Sequence, residues 1–192
     1  MLLTTLAIVR SRQTAAIERD VARQLDVARD VFQEALRMRG RQLTVASELL
    51  GGDFAFKQAG ATRDAATIAS NAASLRERIG SDAVWITDDE GKLYADTSRS
   101  LRRGADLAKL RAVREALEGG SAAGVERIGK EVYQFAAVPV SAPDLIGLLA
   151  AGFRVGDSFA ALISSQTRAS VSFGSEEGVF ATTLDAPRRA VL

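Results

Sequence analysis

The side chains of this chain that could do chemistry are suited to holding a ligand rather than to catalysis. Arg76 and Arg78 close a helical stretch, and a guanidinium fork matches a carboxylate. The same pair also suits a solvated helix end, where the dipole favours cations. Trp85 is the single tryptophan, a large apolar wall with one N–H donor that fits a ligand pocket and a core equally. Tyr133 and Phe135 share one face of a strand-like run, with Gln134 on the other. Asn71 stands on the helix that ends in the two arginines and can bond a ligand or the adjacent loop. Asn71, Arg76, Arg78, Trp85, Tyr133 and Phe135 are therefore the candidate ligand contacts, with no catalytic residue, metal site or cofactor assigned.

The missing residue types narrow the chemistry further. With no histidine and no cysteine, imidazole- or thiolate-based zinc sites, Ser-His-Asp and Cys-His machinery and His- or Cys-ligated haem are closed. Asp88, Asp89 and Glu90 bunch together, but their spacing is not that of an EF-hand loop and reads as an acidic turn. Lysine and arginine number 25 against 24 acids, a net charge of +1, without the clustered basic face that nucleic-acid binding needs. An absence of cysteine is compatible with an oxidising compartment and with the cytoplasm alike.

These residues have to be positioned by elements that the periodicity outlines. From Thr14 to Leu50 there is no proline and one glycine, and apolar residues recur at helical spacing: Ile17, Val21, Leu25, Ala28, Phe32 and Leu36, then Leu43, Ala46 and Leu50. A helix of this length outruns a small domain, so its stripe predicts a partner, most simply a second copy, the other reading being a long core helix of a single domain. Gly51-Gly52 ends it. A short helix over Asp53–Ala59 and one from Asp64 to Ile79 follow. The period then falls to two: Ala83–Thr87 and Lys92–Asp96 form a hairpin around Asp88–Gly91. A helix over Leu107–Leu117 precedes strands at Ala123–Ile128, Val132–Val140 and Leu145–Val155. Short turns between successive strands imply antiparallel pairing. The sum is an α+β fold, a long helix and then a PAS-like five-stranded antiparallel sheet. The helix over Asp157–Gln166 and the hairpin of Ala169–Phe173 with Val179–Thr183 repeat the start of that module; two strands alone are marginal in water, so they lean on the first module or continue into a longer chain. At the N-terminus, Met1–Val9 is too short to span a bilayer. It reads either as the end of a transmembrane helix or as the apolar first turns of a soluble one.

Asp53–Ala59, Asp64–Asn71, Arg78–Asp82, Asp89–Gly91 and Tyr133–Val140, in this order and spacing, resemble the double Cache sensor family, found outside the membrane in bacterial diguanylate cyclases, phosphodiesterases and sensor kinases. The resemblance covers Val31 to Leu184. It implies the end of a membrane helix over 1–12, a stalk helix over 13–50, a Cache module over 51–155 and the start of a membrane-proximal second module over 156–192. It further implies an inner-membrane-anchored extracytoplasmic sensor, homodimeric through its N-terminal helix. Its ligand would be a small molecule, carboxylates among the commonest, lodged between the sheet and the helices that precede it. The Tyr-Arg-Trp-Asp constellation with which some members hold amino acids is not recognisable here. A module of the same shape without a ligand, acting through dimerisation or a protein partner, is the alternative.

Overall fold

The computed structural model describes residues 2–52, 65–176 and 178–185; the expected helix at Asp53–Ala59 and the cap at Asp64 lie outside them. Helix α1 (Leu2–Gly51) runs without a break, as a stretch free of proline allows, and its 50 residues extend about 75 Å. It stops at the glycine pair, where Gly52 N donates to Glu48 O at 3.1 Å.

The chain forms two compact units, Leu36–Gly156 and, separately, Met1–Ala35 with Asp157–Leu192. In the larger unit, α1 is followed by α2 (Ala65–Ile79), β1 (Ala83–Thr87), β2 (Leu93–Asp96), α3 (Arg111–Leu117), β3 (Ala122–Ile128), β4 (Glu131–Ser141) and β5 (Leu145–Arg154). The strands make one five-stranded sheet in the order β2-β1-β5-β4-β3, antiparallel throughout. This is the α+β, PAS-like arrangement that the sequence predicts.

Strand alternation divides the core in two. Val84, Ile86, Ala136, Val138 and Leu149 face Leu43 and Leu50 of α1 and Ile68, Leu75 and Ile79 of α2. Trp85, Leu93, Tyr133, Phe135 and Leu148 point the other way, against Leu107 and against Val113 and Ala116 of α3. Because both faces are covered, all of β1 is buried and its sequence shows no polar alternation.

Two sequence expectations need correction. The helix expected from Leu107 begins only at Arg111, behind an extended Leu110. The residues before it pair with β2 and its turn instead: Leu107 N donates to Gly91 O and Leu93 N to Ala105 O. Tertiary pairing here overrides an apolar spacing that looks helical. The apolar stripe of α1 also divides. Leu43 and Leu50 are core residues of the helix's own module. The exposed apolar residues of that part of α1 are Met38, Val45 and Leu49, on a different face.

The smaller unit holds α4 (Asp157–Thr167), β6 (Ser172–Ser175) and β7 (Gly178–Thr182). Its centre is aromatic. Phe32 lies 6.0 Å from Phe159 and 5.3 Å from Phe173, and Phe159 stacks on Phe173 at 5.7 Å. Asp157 Oδ1 accepts the backbone N–H of Thr182 at 2.8 Å, tying the start of α4 to β7. The two-stranded hairpin is thus packed within its own unit, on α4 and on Phe32 of α1.

Candidate functional site

A polar cleft of about 490 Å³ opens at the end of the five-stranded sheet, where β4 begins and β5 ends. Antiparallel pairing sets Tyr133 directly opposite Arg154, and both line the cleft together with Arg76 from the last turn of α2. The Gly129-Lys130 turn between β3 and β4 brings Lys130, and the loop after β2 brings Thr97, Ser98 and Ser100. Asp82 and Glu131 complete the lining. Three cations and two carboxylates leave an excess of one positive charge.

The walls are held before any ligand arrives. The Asp96 carboxylate accepts the backbone N–H groups of Ser98 (2.7 Å), Ser100 (2.9 Å) and Leu101 (2.9 Å) as well as the Ser98 and Ser100 hydroxyls. That Asx-type closure fixes the loop, and Arg99 sits in it at φ 58°. The β3–β4 turn rests on the loop so closely that a Cβ on Gly129 would lie 3.1 Å from Ser100 Cβ. The Thr97 hydroxyl receives the Val84 backbone N–H at 2.8 Å. Asp82 Oδ2 accepts the backbone N–H of Arg154 at 2.7 Å. Arg154 Nε lies 4.0 Å from Glu131 Oε2, with both side chains about half exposed, so this pair is weak.

Tyr133 is 2% exposed. Burial pushes its hydroxyl above the ordinary tyrosine value, against the opposing pull of Arg154 and a hydrogen bond to Ser98. It is a neutral donor at physiological pH. On α1, burial holds the Arg39 guanidinium below its ordinary value, and the Asp82 carboxylate opposes that shift.

The six candidates from the sequence therefore separate. Arg76 and Tyr133 meet in the cleft. Trp85 and Phe135 are fully buried behind Tyr133, with ring centroids 5.0 Å between Trp85 and Tyr133 and 5.4 Å between Trp85 and Phe135. Trp85 Nε1 is a buried donor with no partner among the described residues. Asn71 is half-exposed and Arg78 exposed on α2, and neither lines the cleft. Much of the space between the sheet and the preceding helices is taken up by the apolar core. A second, mainly apolar cleft of about 490 Å³ opens there between α1 (Leu36, Gly40, Val45) and the β3–β4 side of the sheet (Ala123, Val125, Gln134); the polar cleft lies at the sheet's end. Lys130, Arg154 and the serine loop went unrecognised in the sequence. Counting outwards from the β4–β5 turn, where Val140 faces Gly147, would have set Arg154 opposite Tyr133.

The acidic turn is explained locally. Asp88 Oδ1 accepts the backbone N–H groups of Glu90 (3.0 Å) and Lys92 (2.7 Å), and Lys92 pairs with Glu90. No group of side chains that could hold a metal occurs among the described residues. Nor is any described helix long and apolar enough to cross a membrane.

Residues 18–188 match the family model described as the double sensory domain of two-component sensor kinases. Among curated proteins there is no match. Among solved structures, the sensor domain of the Vibrio cholerae histidine kinase DctB is similar over 92% of this chain and 70% of its own, at 14% identity and TM-score 0.67. The Escherichia coli DcuS sensor domain is similar over 70% of this chain and 98% of its own, at 16% identity and TM-score 0.57. The ligand-binding domain of the Campylobacter jejuni chemoreceptor Tlp3, solved with 4-methylisoleucine, is similar over 85% and 71%, at 13% identity and TM-score 0.55.

Proposed function

Given that the chain belongs to the double Cache family of sensory domains, we propose that it senses a small carboxylate in the cleft at the end of its five-stranded sheet. The observation that carries this reading is the convergence of Arg76, Lys130 and Arg154 on one cleft beside Tyr133. Guanidinium and ammonium donors with an excess positive charge are what a carboxylate needs. Trp85 and Phe135 back the tyrosine rather than touch the ligand. In this reading the chain is the extracytoplasmic part of a membrane-anchored receptor, paired with a second copy along α1, and occupancy of the cleft biases the position of that helix. A sensor module with this architecture is not itself an enzyme; any catalytic output belongs to other parts of the receptor.

The test is a thermal-shift series on the chain with acetate, pyruvate, lactate, succinate and malate. A ligand at 100 times its Kd adds about 2.7 kcal/mol, which raises Tm by about 5–10 °C for a chain of this size. Arg154→Ala should abolish the shift. A series with no shift, or a shift that survives Arg154→Ala together with Lys130→Ala, overturns the carboxylate reading. The ligand-free dimerisation module is supported by a different observation, the exposed Met38, Val45 and Leu49 on α1, and is favoured by that first outcome.

A further inference from the structure

We infer that Gln134 and Phe153 carry occupancy of the cleft to helix α1, as the cross-strand pair standing back to back with the cleft pair Tyr133 and Arg154. The inference rests on the reading of the cleft as a ligand site and names how that site is coupled. In an antiparallel ladder, directly opposed residues share a face and the next pair takes the other. Tyr133 opposes Arg154, and Gln134 opposes Phe153. The first pair lines the cleft. The second grips α1: Gln134 Nε2 donates to the Leu36 carbonyl, and the Arg39 guanidinium lies 4.9 Å from the Phe153 ring centroid. Cleft and helix are therefore separated by single peptide units, and a ligand that draws on Arg154 or Tyr133 moves the backbone that also carries the two gripping side chains.

Three further observations converge on the same helical turn. Gly40, one turn beyond Leu36, has no Cβ, and one placed there would lie 3.1 Å from Gln134 Nε2; the glycine leaves the carboxamide room to reach the helix backbone. A carbonyl only accepts, so the amide must present its nitrogen to Leu36, and Gln134 Oε1 is left buried without a partner among the described residues. The side chain thus gives its donor to the helix backbone instead of only filling space. Asp82 supplies the third link. It lines the cleft, accepts the Arg154 backbone N–H, and its charge acts on Arg39.

The experiment is hydrogen–deuterium exchange on the chain, read separately at the cleft (residues 129–133) and on the helix (residues 36–43). Two perturbations of the cleft are used, 10 mM sodium succinate and the substitution Arg154→Ala. In the wild type, a perturbation that changes exchange at the cleft should also change it on the helix, by about threefold or more. In Gln134→Met and Phe153→Leu the cleft response should persist while the helix response falls to a third or less. Gly40→Ala serves as the second variant: alanine is the better helix former, so a merely structural role predicts a tighter helix, whereas the inference predicts a lost response. A helix response that is absent in the wild type, or intact in all three variants, overturns the coupling. Silence towards succinate at cleft and helix together counts against the carboxylate reading alone, because the Arg154→Ala arm still decides the coupling in either direction.

Discussion

At the scale of single residues, Tyr133 shows how environment rather than identity sets behaviour. Its hydroxyl is buried against Trp85 and beside Ser98, so the anion is disfavoured and the native group keeps its proton beyond the ordinary tyrosine value of about 10. The sign follows from linkage. Above pH 10 the unfolded chain releases the proton while the native chain holds it, so the unfolded state binds fewer protons and stability falls as pH rises towards the raised native value. Urea denaturation from pH 9 to 11 should therefore show a downward slope in stability for the wild type that is shallower in Tyr133→Phe. Equal slopes would mean that the tyrosine's environment does not penalise its anion. Arg76 and Tyr133 were legible in the sequence because each ends or begins an element that periodicity defines. Lys130 and Arg154 were not, because strand termini acquire neighbours only through register. Trp85 was legible only as a choice between wall and core, since its type fits both and its burial decides.

The elements illustrate the same division between local and long-range information. The hairpins of the sheet were readable from alternation and turn residues, and α1 from apolar spacing and the absence of proline over Thr14–Leu50. The start of α3 was not, because residues 104–107 bond back to Gly91 and Leu93 and no local pattern announces that. Glycines carry a related kind of hidden information. Gly147 of β5 lies against the backbone of β1 so closely that a Cβ would fall 2.0 Å from Thr87 O. A backbone carbonyl in a buried strand cannot swing away, so Gly147→Ala should cost about 3 kcal/mol, at the upper end for overpacking. Gly124 of the edge strand β3 has only the Glu126 carboxylate at 4.0 Å, and its alanine variant should be neutral or stabilised by up to about 1 kcal/mol. Urea midpoints of the two variants, measured side by side, check both; equal midpoints would show that the close approach at Gly147 is absent in solution.

At the scale of the whole molecule, the question is what the apolar surface of α1 is for. The sequence presents one long stripe, and a dimer would be argued from all of it. The structure withdraws Leu43 and Leu50, which are buried against the helix's own sheet, leaves Leu25 of the stripe exposed, and shows on another face Met38, Val45 and Leu49, exposed by 57%, 64% and 77%. Those three are spaced seven and four apart, the interval of a two-stranded coiled-coil seam rather than of a domain core. Large apolar side chains aligned on an open helix face are a recurring mark of association. Gln42, at the seam position between Met38 and Val45, is exposed as well, and a polar residue there sets register at some cost in affinity. Pairing along this seam would bring two copies of the turn Leu36–Gly40 to one axis, where a small displacement of one is opposed or matched by the other. The proposed dimer therefore predicts that sedimentation equilibrium of the chain gives a concentration-dependent dimer, and that Val45→Glu with Leu49→Glu shifts it to monomer. The same pair of substitutions should leave the monomer's unfolding midpoint within about 0.5 kcal/mol, since surface changes away from the core cost little, whereas Leu43→Ala should cost about 2–5 kcal/mol. A double variant that dimerises as the parent does would assign the seam no role in pairing and move the search for the interface to another face of the module.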